Sequence, residues 1–165
     1  MANQIHNINV IAKETLPSPN TIKAILPLTQ SARETVFNSR NALVSILDRK
    51  YKRLIVFVGP CSIHDIDAAK DYASRLKNLA DDLSDVFHIL MRVYFEKPRT
   101  TVGWKGAIND PHMDGSFDVE TGLINARKLL ITLAEMEIPT ATEALDPISP
   151  QYLAELFSWS AIGAR

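Results

Sequence analysis

The sequence has one cysteine, Cys61, so no internal disulfide can form and nothing points to an oxidising compartment. It has no excess of either charge: 18 Lys and Arg stand against 19 Asp and Glu, a formal net charge of −1. That balance argues against a general role on nucleic acid or at a membrane surface, although a local anion site needs only a few convergent bases. No apolar run approaches a membrane span, and the opening stretch MANQIHNINVIAKETLPSPN lacks an apolar segment of signal-peptide length. Cytoplasm is the resulting expectation. Metal-ligand spacing is also missing: there is no second cysteine and no His-x-x-x-His. What is present is 165 residues, 46% of them hydrophobic and 22% charged, enough for one globular domain with a sizeable core.

The first 50 residues read differently from the rest. Asn7-Ile8-Asn9-Val10 alternates like a short strand, Pro17-Ser18-Pro19-Asn20 is a turn and start signal, and Ser31-Ala32-Arg33-Glu34 has capping-box spacing. Val36, Leu43 and Leu47 then give a helix an apolar face through about Arg49. We expect residues 1–50 to form an extension beside a main unit over 51–165.

From Arg53 onward strands and helices alternate. Leu54 to Val58 is a continuous apolar run that suits a strand buried on both faces, ended by Gly59-Pro60. A helix follows from about Asp67, with Ala69, Tyr72, Ala73, Leu76, Leu79, Ala80 and Leu83 on its stripe. His88 to Phe95 is the second strand, and Val119 to Met136 the next helix, lined by Leu123, Ala126, Leu130 and Leu133. Thr140 to Glu143 is a third strand. Ser149-Pro150 reads as an N-cap with proline after it, opening a helix through Phe157, and Ser160 to Ala164 is a fourth strand.

Such alternation predicts a parallel α/β sheet. A doubly wound sheet would carry a Gly-rich phosphate turn after its first strand, and Gly59-Pro60-Cys61-Ser62 is not one. Every strand end carries a chemically active residue: Cys61, then Arg92 to Arg99, then Glu143, then Arg165. That spread favours a (β/α)8 TIM barrel. Four strand-helix units make half of such a barrel and leave an uncovered edge, so the expectation is the first part of a chain about twice as long.

The stretch MRVYFEKPRTTVGWKGAINDPHMDGS, Met91 to Ser116, is the chemical centre of the sequence. A strand delivers Arg92, and a Pro-stiffened loop follows with Lys97, Arg99 and Lys105, anchored by Trp104. Alternation places Arg92, Tyr94 and Glu96 on one face, and an arginine on a strand buried on both sides needs an anionic partner. Arginine offers a fork to carboxylate or phosphate and lysine a compact charge, so phosphorylated, carboxylated substrates fit best. Scatter on a solvated face is the bland alternative. For Cys61 the bland reading is a small buried hydrophobe, and the sharp one a metal ligand or nucleophile, with His64 nearby. Glu143 either partners the following helix or orients a base or water. Asp110, His112, Asp114 and Asp118 read as turn and capping residues.

Together, Gly59-Pro60-Cys61-Ser62-Ile63-His64-Asp65, the run Met91 to Gly106, Ala141-Thr142-Glu143 and Ala161-Ile162-Gly163-Ala164-Arg165 resemble the class I 3-deoxy-D-arabino-heptulosonate 7-phosphate (DAHP) synthases. Residues 112–119 and 156–160 resemble the tyrosine-sensitive bacterial members most. The resemblance covers the whole chain, more loosely before residue 50. It implies condensation of phosphoenolpyruvate with erythrose 4-phosphate and release of phosphate, the first step of the shikimate pathway. It implies one divalent metal ion (Fe, Mn, Zn or similar) as Lewis acid, with Cys61 as one ligand and the others beyond residue 165. Arg92, Lys97 and Arg165 would hold phosphoenolpyruvate, with Lys105, Glu143 and the Ala164 backbone close by. Lys97 and Glu143 would be the catalytic groups, and Arg99 and Thr100 would take the sugar phosphate. Ser149, Pro150 and Gln151 would contact an aromatic amino acid effector, tyrosine by the subtype, with the N-terminal extension of a neighbouring subunit in a homo-oligomer. On this reading 165 residues alone bind neither metal nor substrate well. A 3-deoxy-octulosonate 8-phosphate synthase-like barrel is the near alternative, opposed by the Lys97-Pro98-Arg99-Thr100 loop and the long extension. A non-catalytic half-barrel interaction module is the distant one.

Overall fold

The structure, a computed structural model, describes residue 10, residues 14–97 and residues 103–162. Four strands form one parallel sheet in the order β1 (Leu54–Val58), β2 (Phe87–Arg92), β3 (Thr140–Ala144), β4 (Trp159–Ile162). Every strand lies beside its neighbour in sequence. Right-handed crossovers then put the connecting helices on one side of the sheet, whereas a doubly wound sheet reverses direction. α3 (Ile66–Asp82) and α4 (Val119–Glu135) provide this layer. Val56, Val58, Ile89, Met91, Val93 and Phe95 turn toward it and join its apolar stripes in the main core.

The sheet curls. Phe57 of β1 and Trp159 of β4 bring their ring centroids to 5.8 Å. A flat sheet would hold side chains three strand spacings apart at roughly 14 Å. The architecture is a half-barrel with helices outside, the arrangement expected of part of a TIM barrel.

α2 (Gln30–Leu47) crosses the N-terminal ends of the strands as a floor. Its Leu43 packs with Ile55, Leu90 and Ala141. Ser39 Oγ lies 2.9 Å from His88 Nε2, Thr35 Oγ1 donates to the Ala134 carbonyl, and Arg40 donates to the Phe157 and Ala154 carbonyls. The short α1 (Pro19–Ile25) is capped by Ser18 and docks on the far side, against α5 (Ser149–Leu153). Fully buried Arg127 of α4 ties these elements together, donating to the Leu26 carbonyl (2.8 Å), the Tyr152 carbonyl (2.9 Å) and Glu155 Oε1 (2.6 Å). Tyr152 Oη adds a bond to the Pro17 carbonyl.

Several expectations change. α2 begins at Gln30, capped by Thr29 rather than opening on a Ser31 box; Glu34 instead accepts from Gln30 Nε2 within the first turn. Leu47 and Leu79 are exposed, not on buried stripes. β1 is not buried on both faces: it pairs with β2 alone among the described residues, leaving Leu54 63% and Phe57 45% exposed. β2 ends at Arg92, because the following carbonyls turn to loop partners, Tyr94 to Ile63 N–H and Phe95 to Ile108 N–H. The helix expected through Phe157 stops at Leu153 and tightens into a 3-10 turn, Ala154–Leu156. β4 starts at Trp159, one residue early. The strand suggested for Asn7 to Val10 lies outside the described residues, apart from Val10.

Candidate active site

The C-terminal ends of the strands bring Cys61, Arg92, Lys97 and Glu143 to one rim. Gly59 makes the first approach possible, since a Cβ there would lie 2.4 Å from the Arg92 carbonyl oxygen. The chain can then pass close enough for Arg92 Nη2 to donate to the Cys61 carbonyl at 3.1 Å. The Arg92 guanidinium also lies 4.1 Å from the Tyr94 ring centroid, within cation–π range. Ile63 N–H donates to the Tyr94 carbonyl at 2.8 Å, which locks the turn carrying Cys61 onto the strand carrying Arg92. Among the described residues no carboxylate pairs with Arg92; a neutral carbonyl and a ring face hold it. Cys61 is exposed, which overturns the reading of a buried hydrophobe.

The long loop is tied down from within. Gly106 has φ of 100°, and a Cβ there would meet the Phe95 carbonyl oxygen at 2.3 Å, so only glycine lets the loop lie on the strand extension. Lys97 N–H donates to the Lys105 carbonyl, and Trp104 Nε1 donates to the Asp110 carbonyl at 2.7 Å. This places the Trp104 ring 5.6 Å from Lys97 Nζ. Asp110 accepts from Gly115 N–H, Asp114 from Ser116 N–H, and Asp118 caps α4, so these acids serve the loop's own geometry. Arg99, Thr100, Ala164 and Arg165 lie outside the described residues.

Burial alternates along the strand extension: Met91, Val93 and Phe95 are buried, while Arg92, Tyr94 and Glu96 are half-buried, the common face expected for the last three. Glu96 reaches the start of α5. There Ser149 Oγ lies 3.0 Å from Glu96 Oε2 and 2.9 Å from Asp146 Oδ2. Ser149 is not the N-cap. Asp146 takes that role from outside the helix, accepting from Ile148 N–H (2.5 Å) and Ser149 N–H (2.9 Å). Burial and then the Asp146 carboxylate push Glu96 up to about 7, against hydrogen bonds from Ser149 and Asn109 that favour its charge. For Asp146, burial works upward but is outweighed by hydrogen bonds from Glu96, from the Ser149 and Ile148 amides and from the Ser149 hydroxyl, which hold it below the usual range. Sequence reading passed over Glu96 and Asp146 as members of a site. Asp146 standing three residues before Ser149 was the available signal.

A cavity of about 530 Å³ opens between this cluster and the N-terminal segment. Leu16, Ile108, Leu123 and Leu145 supply apolar wall, and Glu96, Lys97, Asp146 and Ser149 supply the polar end. Pro150 and Gln151 follow on α5 itself. No three His, Cys, Asp or Glu side chains converge as a metal centre among the described residues. No described helix is long and apolar enough to cross a membrane.

A family model described as the DAHP synthetase I family matches residues 28–165. The chain is 56% identical to the Tyr-sensitive phospho-2-dehydro-3-deoxyheptonate aldolase of Escherichia coli, over 98% of this chain and 45% of that protein. It is also 56% identical to the Phe-sensitive aldolase of the same organism, over 93% of this chain and 43% of that protein. Among solved structures, the phospho-2-dehydro-3-deoxyheptonate aldolase from Francisella tularensis superposes with a TM-score of 0.91 at 48% identity, covering 95% of this chain and 46% of that one. The chain thus spans about half the length of the curated relatives it matches.

Proposed function

Because the chain belongs to the DAHP synthetase I family, we propose that it carries the N-terminal part of a synthase joining phosphoenolpyruvate, D-erythrose 4-phosphate and water into DAHP and phosphate. The single observation that supports this most is the family match over residues 28–165, which contains the whole basic rim. Two phosphorylated substrates demand several fixed cations, and Arg92 and Lys97 stand at strand ends with neutral partners among the described contacts, a carbonyl and two ring faces.

Arg92 binds the carboxylate or phosphate of phosphoenolpyruvate in a plane set by Tyr94 and the Cys61 carbonyl. Lys97 holds its second anionic group, while Lys105, Arg165 and the Ala164 backbone complete the binding set. Arg99 and Thr100 take the sugar phosphate. Glu143, at the end of β3, orients the water or proton that the condensation requires. Holding both substrates in register removes much of the entropic barrier to joining them. Cys61 would be one donor to the divalent metal that the family implies. One exposed cysteine does not hold such an ion, so the residues described do not make the centre by themselves.

Residues 1–50 are assigned to subunit contact and regulation, and Ser149, Pro150 and Gln151 to an aromatic effector, tyrosine in the first instance. The apolar walls and acidic end of the cavity at Ser149, with Leu16 reaching it, support that assignment. The test is turnover by the full-length protein. One phosphate should appear per erythrose 4-phosphate consumed, with tyrosine inhibiting more than phenylalanine or tryptophan. Preference for a pentose phosphate, or no reaction with phosphoenolpyruvate, would overturn the reading.

A further inference from the structure

Ser149 has one hydroxyl hydrogen but faces two carboxylates at hydrogen-bond distance, Glu96 Oε2 at 3.0 Å and Asp146 Oδ2 at 2.9 Å. With both acids ionised, one contact would set a serine lone pair against a carboxylate oxygen. Both contacts are favourable only when one carboxyl brings its own proton.

The surroundings decide which acid holds it. Asp146 accepts from two backbone amides in addition to the serine, and each of these bonds favours its charged form. Glu96 sits deeper, beside that charge, with Asn109 as its other side-chain partner. The remaining charged or titratable groups around it are Lys97, on the same cavity, and Glu143 and Tyr94, which line the space on its other side. Burial and the Asp146 charge outweigh the hydrogen bonds that favour ionised Glu96. The proton therefore rests on Glu96.

Glu96 immediately precedes Lys97, whose own amide is bonded to the long loop. We infer that Glu96 is a positioning residue for Lys97, holding the substrate loop to the start of α5 through a proton shared with Asp146 and Ser149. Losing this proton charges both acids, and their repulsion parts the loop from α5. The inference rests on the proposed role of Lys97 in binding phosphoenolpyruvate. It adds that a group at the proposed effector helix sets the pH range in which that binding is tight.

Two measurements separate this idea from the functional reading. The first is a carboxyl-carbon NMR titration of the chain labelled at glutamate, with Glu96→Gln used for assignment. One glutamate signal should titrate near neutrality, vanish in Glu96→Gln and move to lower pH in Asp146→Asn. An assigned Glu96 signal titrating in the ordinary glutamate range would overturn the latch whatever the enzyme does.

The second is the pH profile of KM for phosphoenolpyruvate in the full-length protein. If only the latched loop binds, KM should rise about tenfold one pH unit above the Glu96 midpoint, with kcat changed far less. Glu96→Gln should flatten this profile, and Asp146→Asn should move its rise to lower pH. A rise that persists unchanged in both variants would also overturn the proposal. A protein with no affinity for phosphoenolpyruvate would remove the functional reading while leaving the titration to decide the shared proton.

Discussion

The Arg92 guanidinium donates to the Cys61 carbonyl at 3.1 Å, so the base at the end of β2 and the thiol that follows β1 share one backbone junction. Neither can shift without the other. Arg92→Lys keeps the charge but loses the planar fork, its stacking on Tyr94 and the reach to that carbonyl. In the full-length protein it should raise KM for phosphoenolpyruvate by about 10- to 100-fold, the loss of one or two charge-assisted hydrogen bonds. Steady-state kinetics check this, and an unchanged KM would place Arg92 outside the substrate site.

Glycines in the long loop should differ sharply. Gly103 and Gly106 both have positive φ, 103° and 100°, but a Cβ meets nothing near Gly103 and meets the Phe95 carbonyl oxygen at 2.3 Å from Gly106. Gly103→Ala should cost only backbone strain, about 1–3 kcal/mol. Gly106→Ala adds a clash with main chain that cannot yield cheaply, about 1–3 kcal/mol more. Urea denaturation of the two variants gives the comparison, and equal losses would contradict the close packing of loop on strand.

Arg127→Met should destabilise the protein by about 2–4 kcal/mol. It strips the donor from the Leu26 and Tyr152 carbonyls and leaves Glu155 with Lys23 as its remaining cation among the described ion pairs. Amide exchange should rise first in α1, because Leu26 closes that helix. Glu155→Gln should cost less, since both carbonyls keep their donor.

How much of this was legible beforehand follows from what each residue depends on. β1 and β3 are short apolar or β-branched runs between turn signals, and composition alone marks them. Helix starts were misread at Ser31 and Ser149 for one reason: a cap is whichever oxygen reaches the free amides, and Thr29 and Asp146 reach them. The exposures of Leu54, Phe57 and Leu47 follow from which neighbours pack there, which periodicity does not specify. The bases of the rim were readable as types at a strand end. That Arg92 would be braced by a ring and a carbonyl, and that Glu96 would cross to Ser149, depend on contacts 31 and 53 residues apart.

Stability should depend on pH through two groups of opposite sign. Burial, then Arg53, holds His88 below its usual value. The unfolded chain therefore takes up that proton first, near about pH 6.5, and stability present above this pH is lost as pH falls through the folded value. Glu96, raised to about 7, works the other way: its contribution is full below its unfolded value of 4.5 and is lost as pH rises through the folded one. Urea midpoints across this range should lose their acid-side decline in His88→Gln, which keeps a partner for Ser39, and their neutral-side decline in Glu96→Gln. Parallel curves for wild type and variants would refute both assignments.

The strand order also bears on how the protein is made. Each strand pairs with the one synthesised just before it, so assembly can proceed by additions to an existing edge as the chain leaves the ribosome. α2 precedes the first strand, so the floor is available before any wall is raised. Here each new strand joins the edge left by the last, and Trp159 finds the Phe57 ring laid down about a hundred residues earlier as the sheet bends round.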